Sequence, residues 1–122
     1  MKPAHALLAG LIAFGCTMLL QSPHAAAHHG WSEYDATKTL KETGTIKESG
    51  YEHPHGFVKL QTANKLWTVI LAPPSRMEAR GLPKDALKVG NQVTVEGYAH
   101  RKDAQEMRAE RITASEKTVE LR

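Results

Sequence analysis

From Leu40 to the end of the chain, apolar and polar residues alternate in short runs, the period of strands with one wet face. Leu40 to Ser49, LKETGTIKES, interleaves Thr and Ile with charged residues, and Gly44 marks a bulge or bend within it. Gly56 to Thr62, GFVKLQT, sets Phe57 on one side and Val58, Leu60 and Thr62 on the other. A turn at Ala63-Asn64-Lys65 leads into LWTVILA, residues 66–72, which is β-branched and apolar, so the two runs predict a hairpin.

The next segment changes character. Pro73-Pro74-Ser75 precedes RMEARG, a short run of helix formers with Ser75 as N-cap and Gly81 at the stop position, which predicts one helix of about two turns. Beyond a Val-Gly-Asn turn, Gln92 to His100 alternates with Val93, Val95 and Gly97 inward. A polar turn at Lys102-Asp103-Ala104 precedes EMRAERITA, in which Met107, Ala109 and, after a register shift, Ile112 face the core. Thr118 to Leu121 forms a short edge strand. Three strands, a short helix and two or three further strands, with no parallel crossover, is the order of an OB-fold-like barrel. The expected class is therefore mainly β: a small OB-fold-like barrel of five to six strands with one short helix between strands 3 and 4. A small β-sandwich or open meander plugged by the helix is the competing architecture.

The first 27 residues do not belong to that pattern. Lys2 supplies a positive start, residues 6–20 are uncharged and nearly all apolar, and Ala25-Ala26-Ala27 supplies the small residues that a signal peptidase reads. The run is short for a membrane span. Residues 1–27 are expected to be a cleaved signal peptide, residues 28–39 an N-terminal arm and residues 40–122 the barrel. Cleavage after Ala27 is the first choice and after Ala26 the second, and the expected address is the periplasm, with no membrane anchor after processing. Cys16 is in a poor lipoprotein context, and its loss with the signal leaves no thiolate for a disulfide or metal site. Removing the signal leaves 15 basic against 13 acidic side chains, a near-neutral domain with no electrostatic footprint for nucleic acid. About 95 residues support one modest core.

Three segments carry a resemblance: HHGWSEYD from residue 28, YEHPHGFVKL from residue 51 and LKVGNQVTVEGYAHR from residue 87. In this order they resemble the domain of unknown function 6152 family of small exported bacterial proteins. That family shows a His-His-Ser start, an Asn-Pro-His segment and a Leu-x-x-Gly-Asp-x-Val-x-Val-x-Gly strand. This chain departs from the pattern at Gly30, His53 and Asn91. The resemblance implies export and a β-barrel-like fold; it implies no mechanism.

The chemistry lies in the histidines. Of the five beyond residue 27, four form two tight pairs, His28-His29 and His53-Pro54-His55. In an extended segment, residues two apart share a face, so His53 and His55 can converge on one ion while Pro54 stiffens the backbone between them. Cleavage after Ala27 gives His28 a free α-amine beside its Nδ1, a bidentate chelate that suits Cu(II); cleavage after Ala26 places His29 third, where amine, amides and imidazole can wrap Cu(II) or Ni(II). Zn(II) is the alternative ion. Glu33, Asp35 and Glu52 are available to orient imidazoles or add a weaker ligand.

The plainer readings stand beside these. The HPH segment can serve only to start a strand, the His28-His29 pair can arise by chance, and His100 at a strand end reads as a solvated or core-edge residue. Trp31, Tyr34, Phe57, Trp67 and Tyr98 read as anchors of the arm and fillers of the core rather than as a base-stacking surface. No nucleophile-base set or phosphate loop can be assembled, so no enzyme is expected. Two functions remain open. One is a metal-binding protein, copper before zinc, with His28, His29, His53 and His55 as ligands, acting in buffering, delivery or resistance with another envelope protein as a further partner. The other is a non-metal OB-like module that holds a small ligand, peptide or envelope partner.

Overall fold

The computed structural model describes residues 30–122; the expected signal peptide and the His28-His29 pair lie outside these residues. Six strands follow in order: β1 (Leu40–Gly50), β2 (Phe57–Gln61), β3 (Leu66–Ile70), β4 (Gln92–Ala99), β5 (Glu106–Ala114) and β6 (Lys117–Glu120). They pair as β3-β2-β1-β4-β5-β6, and β3 also pairs with β5. That contact closes β1 to β5 into a barrel, with β6 added beside β5. The fold is the mainly β, OB-fold-like barrel that the order of elements predicts, with one short α-helix, α1 (Pro74–Ala79), between β3 and β4.

Closure uses a parallel pairing that alternation alone does not reveal: Thr68 opposite Glu106, Val69 opposite Met107 and Ile70 opposite Arg108. The long β1 serves two neighbours. Its first half pairs with β4 from Leu40 to Thr45, and its second half with β2 from Thr45 to Gly50. The register shift falls between Ile46 and Glu48, not at Gly44 as the residue type predicts. Gly44 answers a different need: a Cβ there would come 2.7 Å from the Gln61 carbonyl carbon. In β5 the expected shift is present, with Glu96 opposite Arg111 and Gly97 opposite Ala109, so Glu110 is the extra residue and Ile112 turns inward.

The inward residues are those the alternation selects. Val58, Leu60, Val95, Met107 and Ile112 are fully buried, and Ile46 from β1 and Val69 from β3 join them. Helix α1 contributes Met77, also fully buried. Its N-cap is Pro73 rather than Ser75, because Pro74 at the first helical position has its φ already set and lacks only an N–H that would have no partner there. Gly81 ends the turn at φ 86°, as its position predicts. A further 3-10 turn at Lys84–Leu87, not evident from periodicity, buries Leu87.

Helix α1 also covers the edge strand. Arg76 Nη1 donates to the Leu121 carbonyl at 3.1 Å and Arg80 Nη1 to the Glu120 carbonyl at 2.8 Å, occupying acceptors at the end of β6.

Candidate functional site

The loop between β1 and β2 carries the His53-Pro54-His55 segment, and the barrel holds that loop at both ends. Gly56 donates its N–H to Ala72 O and accepts from Leu71 N–H, each at 2.9 Å, which ties the end of the loop to the end of β3. Gly56 must be glycine here, since a Cβ would lie 2.8 Å from Met77 Cε and 2.9 Å from Gly50 O. At the other end, the Tyr51 hydroxyl donates to Leu82 O at 2.7 Å, and burial pushes that phenol above its usual range. The His53-Pro54 peptide bond is cis. The segment is a bend rather than the extended run expected of it, yet His53 and His55 both line one pocket. That pocket, about 410 Å³, is lined by Glu52, His53 and His55 together with Phe57 and Ile70. His53 is exposed and His55 half-buried.

The arm is docked, and its aromatics do the docking. Residues 31–33 form a 3-10 turn from which Tyr34 is driven into the barrel wall, 6% exposed. Tyr34 bridges to His100 in sheet fashion, Asp35 N–H donates to Ala99 O at 2.9 Å, and Arg101 N–H donates to Glu33 O at 2.9 Å. The Tyr34 hydroxyl donates to Glu106 Oε2 at 2.8 Å; burial first, then that carboxylate, pushes the phenol far above its ordinary range. Trp31 meets Tyr98 edge to face with centroids 6.1 Å apart. The guanidiniums of Arg108 and Arg122 lie 4.3 and 4.7 Å from the Trp31 ring centre. Arg108 is partly desolvated there and has Arg76 and Arg122 as like-charged neighbours, which lowers its pKa.

His100 belongs to this clamp. Its Nδ1 accepts from the backbone N–H groups of Lys102 at 3.1 Å and Asp103 at 2.9 Å, so the ring proton sits on Nε2 and points at Glu33 Oε2, 3.2 Å away. Glu106 Oε2 is 3.8 Å from the same nitrogen. A metal on Nε2 would have to displace that proton, so His100 holds the arm rather than an ion. Its position at the end of β4 is legible in sequence; the two carboxylates that face it come from residues 67 and 6 positions away along the chain, separations that no local pattern connects.

Of the four histidines singled out by their pairing, the structure brings His53 and His55 to one pocket, while His28 and His29 lie outside the described residues. Among the described residues, no three His, Cys, Asp or Glu side chains are arranged to hold one ion.

Comparison with known proteins bears on the fold. A sequence profile described as a family of unknown function, DUF6152, matches residues 17–108. No curated protein matches the chain. A chain in the crystal structure of the S. pombe Stn1-Ten1 complex superposes with a TM-score of 0.51 at 12% identity, covering 65% of this chain and 59% of that one. A chain in the crystal structure of a complex of TiaS with tRNA and ATP gives a TM-score of 0.49 at 18% identity, covering 73% of this chain and 20% of that one. This chain therefore spans about three fifths of the Stn1-Ten1 chain, and at 12% identity that likeness concerns the fold alone.

Proposed function

The chain belongs to the family of unknown function DUF6152, and on that premise we propose that it is a periplasmic metal-binding protein, suited to Cu(II) before Zn(II), that acts in copper buffering, delivery or resistance. The observation that supports this reading is the pocket beside the β1–β2 loop, which His53 and His55 both line on a loop tied down by Tyr51 and Gly56. The loop is tied to the barrel at both ends, which reduces the conformational freedom left to be lost when an ion binds. The described residues offer fewer than three converging donors, and the remaining donors are assigned to His28 and His29, the first of which has a free α-amine once the signal is cleaved after Ala27. Nitrogen donors in that number favour Cu(II), which tops the divalent series.

A second reading uses the same pocket. Phe57 and Ile70 give it an apolar wall, as a small organic ligand requires, and the histidines then hydrogen-bond that ligand rather than coordinate an ion.

The deciding experiment is a Cu(II) titration of the exported and processed protein followed by EPR, with mass spectrometry of the N-terminus on the same sample. Tight one-to-one binding with nitrogen hyperfine structure, weakened in His28→Ala and in His55→Ala, supports the metal reading. Binding that is micromolar or weaker, and indifferent to both substitutions, sinks it and leaves the small-ligand reading.

A further inference from the structure

The turn between β4 and β5 is folded onto a single imidazole. His100 follows the last residue of β4, its side chain is 15% exposed, and its Nδ1 accepts the N–H groups of both Lys102 and Asp103. A ring nitrogen accepts only while it carries no proton. At the other edge of the ring, Nε2 faces Glu33 Oε2 from the arm at 3.2 Å and Glu106 Oε2 from β5 at 3.8 Å. Tyr34, also from the arm, stands edge on to the ring with centroids 5.2 Å apart, and its hydroxyl is bonded to Glu106. The remaining charged neighbours belong to the turn itself. Arg101 Nε donates to Ser32 O at 3.0 Å, Lys102 lines a pocket with His100, and the Asp103 carboxylate accepts the Gln105 N–H at 2.9 Å. The ring therefore has two carboxylates at one nitrogen and two amide donors at the other, and no single protonation state suits both edges.

We propose that His100 is a pH-operated latch: the neutral ring holds the β4–β5 turn closed, and the protonated ring releases that turn while gripping the arm more firmly. The second proton goes to Nδ1, the nitrogen without one, and turns an acceptor into a donor that faces two N–H donors. The bonds to Lys102 and Asp103 are then lost and the turn moves away. The positive charge so created meets Glu33 and Glu106, and a charge-assisted bond to a carboxylate is stronger than one from a neutral ring. Arg101 and Lys102 oppose that charge from the turn, which adds to the drive for the turn to leave. The carboxylates thus make the charged state accessible, and the amides make it structurally distinct. A cavity of about 250 Å³ lies where the two holds meet, lined by Ser32 and Glu33 of the arm and by His100, Arg101 and Lys102. It widens when its turn side moves and its arm side stays. One proton biasing two local packings is the physical content of such a switch, and it operates independently of what occupies the pocket of His53 and His55.

The test is a titration of the exported and processed chain from about pH 8 to about pH 5, the range in which imidazoles gain their charge. Ring ¹⁵N spectra of His100 and protection factors of the backbone amides are read on the same samples. Protection of the Lys102 and Asp103 amides is expected to fall about tenfold or more, with the midpoint at which Nδ1 gains its proton. The Asp35 amide, which donates to Ala99 O on the arm side, is expected to keep or gain protection over the same range. Glu33→Gln removes one of the two carboxylates that favour the charged ring; the common midpoint should move to lower pH while the ring and the two amides still change together. His100→Gln, neutral throughout, should abolish the pH dependence at residues 102 and 103. The proposal is overturned if those amides keep their protection while the ring titrates, if their loss persists in His100→Gln, or if the ring stays neutral across the range. An equal loss at Asp35 overturns it as well, since acid then loosens the whole end of the barrel rather than one turn. Should His100→Gln fail to fold, the wild-type titration and Glu33→Gln carry the decision.

Discussion

Substituting Gly97 with alanine tests whether the β4–β5 contact is as close as the register requires. Gly97 sits opposite Ala109 at the bulge, buried, and a Cβ built on it would run into the Arg108 carbonyl oxygen, with Arg108 C and Ala109 Cα each 2.8 Å away. Every obstructing atom is main chain, so no side chain can swing aside; the two strands must part. Overpacking in a tight interior costs about 1–3 kcal/mol, and the absence of any soft neighbour places Gly97→Ala at the top of that range, about 3 kcal/mol. In a domain of this size about 1 kcal/mol moves Tm by roughly 4–8 °C, so the variant is expected to melt roughly 12–24 °C below wild type. The control is Gly30→Ala, where a Cβ meets nothing within 4 Å among the described residues and φ is −61°; it should stay within about 0.5 kcal/mol of wild type. Urea and thermal unfolding followed by circular dichroism read both. A Tm for Gly97→Ala within about 3 °C of wild type would refute the steric account of this contact.

Three further outcomes are expected. Tyr34, Tyr51 and Tyr98 all have phenols held above their ordinary range, chiefly by burial for the first two and by the Glu110 carboxylate for the third; the unfolded chain then loses protons near pH 10 that the fold retains, so the urea midpoint should fall steadily as pH rises above about 10, a loss to which these phenols add nothing at neutral pH. His100 should show the Nε2–H tautomer in two-bond ¹⁵N correlation spectra, and an Nδ1–H pattern would contradict the pair of backbone donors assigned to Nδ1. Tyr51→Phe removes the hydroxyl bonded to Leu82 O and is expected to cost about 1 kcal/mol; faster amide exchange confined to residues 51–56 is the local readout, and uniform exchange across the barrel would argue against a loop tether.

How much of this is legible along the chain depends on the range of the interaction. The strands, their inward faces and the shift before Ile112 follow from side-chain alternation, because a pleated strand shows its burial to neighbours two residues apart. The helix was legible too, although its start was not: Ser75 has the better capping side chain, and Pro74 prevails because a residue with fixed φ and no N–H suits the first turn. Gly44 was legible as a special position but not for the right cause, since the Gln61 backbone that excludes a Cβ comes from another strand.

The sequence by itself determined the barrel's order of elements and the pairing of the histidines, both of which are written within a few residues. Only the tertiary structure decided which distant groups meet. The parallel β3–β5 contact sets Ile70 beside Arg108, and through it the pocket of His53 and His55 lies next to the seat of Trp31. His100 likewise received its proton's direction from Glu33 and from the backbone of residues 102 and 103. Closure of a barrel is a cooperative, long-range event: it depends on the sum of shear, register and core volume, which no window along the chain contains.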